Sequence, residues 1–331
     1  MDSTDRASNS DLPRSPEAAH IASGGRNDVI DALKFFAIGL VVLTHVLRLR
    51  AEFIHLSPEL LRVIVSFNLP LFTFLSGWVL WGREGRSPLR FMRGKALGLL
   101  VPYLAWIAIE MPLRRVMPAG YADRLWHALL DPMAGMQMWF LWALFWVFAV
   151  FTLGRLVSCS DWWTTALAAA VGSVALFIPG GASGLDRVVW LYPYLVLGYL
   201  VAKHRGSLRR FDAPATAVAA VAFGALTVVG GRTLPAQFAA GVAGTVAACG
   251  VFRFLPAPPL RALAPLGRRT LGIYGAQMVV FPFLIVGQGW SGAAASWAIV
   301  LSASTAIAFG LDRFTPTRAV FLGQWPRRIR R

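Results

Sequence analysis

Apolar residues run along this chain in blocks of about twenty, the length an α-helix needs to cross a hydrocarbon core of about 30 Å. Polar joins rich in Gly, Pro and Arg, such as "REGRSPLR", "PGGASGLD" and "LPAPPLRALAPLGRR", separate the blocks and read as turns. The blocks fall near residues 29–49, 65–82, 96–112, 137–155, 161–180, 186–203, 214–230, 235–252, 270–289 and 293–312. They predict an all-α fold, a polytopic transmembrane helical bundle of about ten helices. No tandem repeat is visible, and no stretch remains for a separate soluble domain.

Outside the blocks the pattern changes. Residues 1–26 hold Ser, Pro, Gly and Asp without an apolar core and are expected to form a disordered tail. They lack the short apolar region and cleavage site of a secretory signal. The membrane domain is expected to cover 27–323, and 324–331 form a basic C-terminus.

Composition agrees with a membrane protein. Of 331 residues, 56% are hydrophobic and 15% charged, with mean hydropathy +0.58; soluble domains hold roughly a quarter charged residues. The net charge of +16 does not point to nucleic acid, because the basic residues are spread through short loops and form no stripe. In a membrane protein that distribution records orientation and contact with anionic lipids. With the N-terminus inside, the inner segments carry about three times as many Lys and Arg as the outer loops. Both termini are therefore expected in the cytoplasm, and the location expected is a cell membrane, a bacterial cytoplasmic membrane foremost. Cys159 and Cys249 show no metal or disulfide spacing.

The first block, "DALKFFAIGLVVLTHV" (Asp31 to Val46), contains three ionisable side chains. Lys34 and His45 lie eleven positions apart, which is three turns plus about 20°, so they share one face about 16 Å apart along the axis. Asp31 is one turn before Lys34 and within pairing reach. With the N-terminus inside, Asp31 and Lys34 lie near the cytoplasmic surface and His45 lies deeper, toward the outer half. One reading leaves Asp31 and Lys34 interfacial, Lys34 snorkelling to water, and His45 hydrogen-bonded to a neighbouring helix. The other makes them a functional face, because intramembrane ionisable groups are costly and commonly face a polar cavity. Histidine can exchange a proton near neutral pH, as a general base must. Spacing alone names no reaction.

Several segments in order resemble the acyltransferase type-three family of integral membrane O-acyltransferases. That family's first helix has an arginine or lysine, ten residues, then an essential histidine, the spacing of Lys34 and His45. "FNLPLFTFLSGWVLWGR" (Phe67 to Arg83) resembles its F-x-x-P-L-F-x-F-x-S-G segment. "LLVPYLAW" (Leu99 to Trp106), "MWFLWALF" (Met138 to Phe145), "YPYLVLGYL" (Tyr192 to Leu200) and "LGRRTLGIYGAQ" (Leu266 to Gln277) follow in the family's order. The likeness runs from Arg26 to Gly323, and the D-A-L-K opening looks closest to fucose-4-O-acetylase-like members.

This resemblance implies transfer of an acyl group, commonly acetyl, from cytoplasmic acyl-CoA (acetyl-CoA) to a hydroxyl of a sugar, glycolipid or similar acceptor, with no metal expected. His45 would be the base, Lys34 would attract the CoA phosphates or steady the site, and Asp31 would hold Lys34. The family's R-x-x-R pair before its L-x-P-Y segment corresponds here to Lys95 and Gly98, so the pair is broken. Arg90 and Arg93 form an R-x-x-R earlier, and with Lys95 they are the candidate donor-binding residues; positive-inside bias alone also accounts for such a cluster. Many members carry histidine where this chain has Gln277, which cannot act as a base.

Weaker candidates are Asn68 with Pro70 as a helix break, Ser76–Gly77 as a close-packing pair, an interfacial Glu110, and structural Trp139 and Trp142. His55, His127 and His204 are expected in solvated positions. A proton-coupled transporter is the alternative function, disfavoured by the lack of matching half-repeats; a degenerate family member without chemistry is another.

Overall fold

The computed structural model describes residues 27–49, 58–82, 87–114, 138–175, 177, 184–205, 212–228, 233–284 and 289–326. The expected tail (1–26), His55, His127 and the last five residues lie outside these. Among the described residues every regular element is helical.

Helix α1 (Asp28–Leu49) starts where Asn27 Oδ1 accepts the backbone N–H groups of Val29 and Ile30, at 2.9 and 3.3 Å. That cap satisfies donors left open at a helix start, and Asp28 and Asp31 in the first turn complement its dipole. Helix α2 (Pro58–Trp81) contains Pro70, whose missing N–H removes one rung of the backbone ladder. Helix α3 (Pro88–Lys95), a π-helical turn (Ala96–Leu100) and helix α4 (Val101–Arg114) follow one another without a break. Next come α5 (Trp139–Val157), α6 (Asp161–Val174), α7 (Leu185–Arg205), α8 (Ala213–Val228) and α9 (Leu234–Phe254). The chain closes with α10 (Ala257–Gly267), α11 (Thr270–Val280), a 3₁₀ turn (Phe281–Phe283), α12 (Gly289–Asp312) and α13 (Thr315–Leu322).

Among the described residues, seven stretches are long and apolar enough to cross a membrane: α1, α2, the run from α3 into α4, α5, α7, α9 and α12. Within the blocks predicted at 161–180, 214–230 and 270–289, the described helices α6, α8 and α11 are shorter. Pro282 has no N–H with which to continue the α11 ladder, and the helix tightens into a 3₁₀ turn there.

Backbone contact at glycine fixes how the helices meet. A Cβ on Gly77 would stand 2.0 Å from the Leu195 carbonyl oxygen, and one on Gly198 would stand 2.0 Å from that of Phe74. Helices α2 and α7 therefore touch main chain to main chain, as the Ser76–Gly77 pair predicts. The aromatic residues Phe74, Trp78 and Tyr199 are fully buried around this crossing. A Cβ on Gly267 would lie 1.7 Å from the Asp31 carbonyl oxygen, so the end of α10 presses directly on the first turn of α1. Trp297 Nε1 donates to the Gly39 carbonyl at 2.9 Å and ties α12 to the middle of α1. These contacts put α1 inside the bundle, with α2, α9, α10, α11 and α12 packed against it.

Candidate active site

One cavity of about 600 Å³ runs along the inner face of α1. Its α1 wall is Asn27, Ile30, Asp31, Lys34, Ile38 and Val41, which is the i, i+3/i+4 stripe of one helix face. Leu69, Phe72 and Ser76 of α2, Leu141 and Leu144 of α5, and Tyr274 of α11 complete an apolar channel. Charge gathers at one end. Lys34, Lys95, Arg268 and Arg269 line it together with Asp31 and Asp312, four cations against two carboxylates.

An ion-pair chain holds that end. Asp31 receives Lys34 Nζ at 3.2 Å on Oδ1 and Arg268 Nε at 3.1 Å on Oδ2. The Arg268 fork also reaches Asp28 Oδ1 at 3.1 Å, and Arg269 pairs with Asp312. The close Gly267–Asp31 approach is what brings Arg268, the next residue, within reach of α1. Lys95 ends α3 with its Nζ 3.4 Å from the centre of the Phe148 ring, a cation–π contact that turns it inward. With cations in excess at one end and apolar walls beyond, the cavity suits a ligand with an anionic head and a slender neutral arm.

The stripe on α1 continues past Val41 to His45, four residues and about 6 Å further on. On α11 the matching step runs from Tyr274 to Gln277. His45 Nδ1 and Gln277 Oε1 are 3.2 Å apart, and Gln277 Nε2 donates to the Tyr274 carbonyl at 3.0 Å. Gln277 is fully buried, whereas His45 is partly accessible. The Phe281 ring meets the imidazole edge-on, with centroids 6.1 Å apart. Beside His45, Thr44 Oγ1 accepts from Asn68 Nδ2 at 3.2 Å, and Asn68 Oδ1 accepts the Leu69 N–H at 2.7 Å. Asn68 is thus a satisfied buried polar group, and α2 runs through Pro70 as one continuous helix, without the break expected there.

Of the residues singled out in the sequence, Asp31, Lys34 and Lys95 line the cavity, and His45 lies one turn beyond its wall. Arg90 and Arg93 are exposed on α3 and do not line it. Gly98 faces the C-terminal segment instead: a Cβ on Gly323, whose φ is +64°, would stand 2.3 Å from the Gly98 carbonyl oxygen. Just beyond, Trp325 Nε1 donates to the Leu97 carbonyl at 2.9 Å. Gln324 lines the cavity and donates to the Arg268 carbonyl at 3.3 Å. Glu110, at the end of the span that starts at Pro88, is buried within the bundle. His204 pairs with Asp161, 2.9 Å from Nε2 to Oδ2, away from the cavity. Sequence reasoning missed Arg268 and Arg269; adjacent arginines at the threshold of an apolar helix were the available signal. Among the described residues, no group of three or more His, Cys, Asp or Glu stands where it could hold a metal ion.

Comparison with known proteins bears on the chemistry. Residues 27–313 match the family described as "Acyltransferase domain", the type-three acyltransferases. The nodulation protein NolL of Sinorhizobium fredii is 27% identical over 355 residues, covering 93% of this chain and 95% of that protein. No solved structure matches the chain. The family match extends across α1 through α12 and so encloses the stripe from Asp31 to His45, the arginines after α10 and Gln277. The chain therefore belongs to the type-three acyltransferase family and is a multi-pass membrane acyltransferase.

Proposed function

We propose that the chain transfers an acyl group, acetyl in the simplest case, from acyl-CoA to a hydroxyl of a sugar, glycolipid or related acceptor, with His45 as general base. The observation that carries this is the channel itself, cationic at one end and leading along one face of α1 toward His45. Lys34, Lys95, Arg268 and Arg269 bind the donor phosphates, while Arg90 and Arg93 add positive charge on the exposed side of the same end. Guanidinium groups suit phosphate because they offer paired donors in a plane. An extended pantetheine arm spans about 16 Å from pyrophosphate to sulfur, comparable with the rise from Lys34 to His45. The thioester carbonyl then lies near the imidazole.

The acceptor hydroxyl gives its proton to His45, and its oxygen attacks the thioester carbonyl carbon. The tetrahedral intermediate collapses by breaking the C–S bond, and the CoA thiolate takes up a proton as the ester is released. A positioned base contributes roughly 10²–10⁴-fold to such a step. In this reading both termini and the cationic end face the cytoplasm, where acyl-CoA is made, in a bacterial cytoplasmic membrane.

The test uses purified protein in detergent, radiolabelled acetyl-CoA and a glycolipid and polysaccharide extract as acceptor. Wild type is expected to transfer label and His45→Ala to fall by about 10² or more, with CoA binding retained. Equal transfer by both proteins would remove His45 from the chemistry. Absence of CoA binding together with movement of a sugar across vesicles would replace the enzyme with a carrier.

A further inference from the structure

The contacts around Gln277 define which nitrogen of His45 can act. A backbone carbonyl only accepts, so the Gln277 amide must present its NH₂ group to the Tyr274 oxygen, 3.0 Å away. That leaves Oε1, an acceptor without a proton, facing His45 Nδ1 at 3.2 Å. The reverse amide orientation would set two oxygens against each other and a donor against the ring nitrogen. Gln277 is fully buried, so no bulk water relieves that mismatch, and an unsatisfied buried polar group costs about 1–3 kcal/mol.

We propose that Gln277 is a positioning residue that holds neutral His45 as the Nδ1–H tautomer, leaving the Nε2 lone pair as the base. This rests on the proposed role of His45 and adds which atom receives the proton. A free imidazole exchanges between two tautomers, and the partner of one nitrogen decides the state of the other. The amide performs this without titrating. A histidine at 277 could itself gain or lose a proton and could face His45 as donor or acceptor. Glutamine presents one fixed acceptor at every working pH, which makes the departure from the family pattern at this position compatible with activity.

The experiment labels histidine with ¹⁵N in the full-length protein in detergent and assigns the His45 signals by their loss in His45→Gln. Wild type is expected to show a protonated Nδ1 and an unprotonated Nε2. Gln277→Leu should lose that preference and lower kcat by about 10²-fold, with the KM for acetyl-CoA changed less than about threefold. Gln277→Glu keeps an acceptor at the same point and should retain the tautomer. Its carboxylate favours the imidazolium, so the acid limb of its pH–rate profile should move to higher pH. A protonated Nε2 in the wild type overturns the proposal even if the leucine variant does not fold. So does a His45 signal unchanged between wild type and Gln277→Leu. Either result leaves the general-base role standing, because that role is judged separately by His45→Ala.

Discussion

Lys34 is held by Asp31, and Asp31 is gripped from its other oxygen by Arg268. The ammonium is therefore presented to the cavity rather than left to snorkel along the helix. In its proposed role, Lys34 makes one charge-assisted contact to a donor phosphate, and Lys34→Ala removes it at a cost of about 1.4 kcal/mol or roughly tenfold. The KM for acetyl-CoA should rise by about that factor while kcat stays within about twofold, measured by initial rates at low salt. The eleven-residue separation of Lys34 and His45 was legible in the sequence because helix periodicity is a local rule. Their partners were not. Gln277 is 232 positions from His45 and Arg268 is 237 from Asp31, and no local pattern encodes which distant turn will dock on α1. The inward turn of Lys95 was equally hidden, since it depends on Phe148 of α5. Arg90 and Arg93 look equivalent to Lys95 as a string of charges, yet the structure leaves them exposed on α3.

Helices in a membrane gain no hydrophobic drive against each other and rely on close packing, which small residues permit. The α2–α7 crossing depends on this in both directions, since Gly77 meets Leu195 and Gly198 meets Phe74. Gly77→Ala or Gly198→Ala must push the main chains apart and should destabilise by about 3 kcal/mol, at the upper end of overpacking costs. Gly310 of α12 has no heavy atom within 4 Å of its would-be Cβ. There alanine should be neutral or slightly stabilising, up to about 1 kcal/mol from helix propensity. Thermal unfolding in detergent, followed by circular dichroism, separates the two outcomes. At this scale the blocks of apolar residues gave the helices and most of their order. They did not give lengths where a proline or glycine intervened, as at Pro282, or the π-helical turn at Ala96–Leu100. That turn packs against α5 and the C-terminal segment, contacts that no window of twenty residues contains.

Viewed as a whole, the molecule has a charged end and a route into its interior from that end. Lys203 pairs with Asp161 at 2.6 Å and lies over Trp81 of α2, close to the cavity residues Trp78 and Val79. Cys159, between α5 and α6, belongs to this end and is exposed, whereas Cys249 is buried. The proposed orientation therefore has a built-in reporter. A membrane-impermeant maleimide should label Cys159 in inverted vesicles and leave right-side-out vesicles unlabelled, with Cys159→Ser abolishing the signal. Labelling in the opposite preparation would reverse the topology.

The segment after α13 settles beside the same entrance. Gly323 rests on the Gly98 backbone, Gln324 forms part of the cavity wall, and Trp325 is pinned to Leu97. Trp325 is thus held beside the charged end of the cavity, where the proposed donor route begins. On the proposed donor route, an affinity tag or fluorescent fusion added on that side is expected to hinder entry of the donor. A preparation that looks inactive for that reason would regain transfer once the fusion is cleaved.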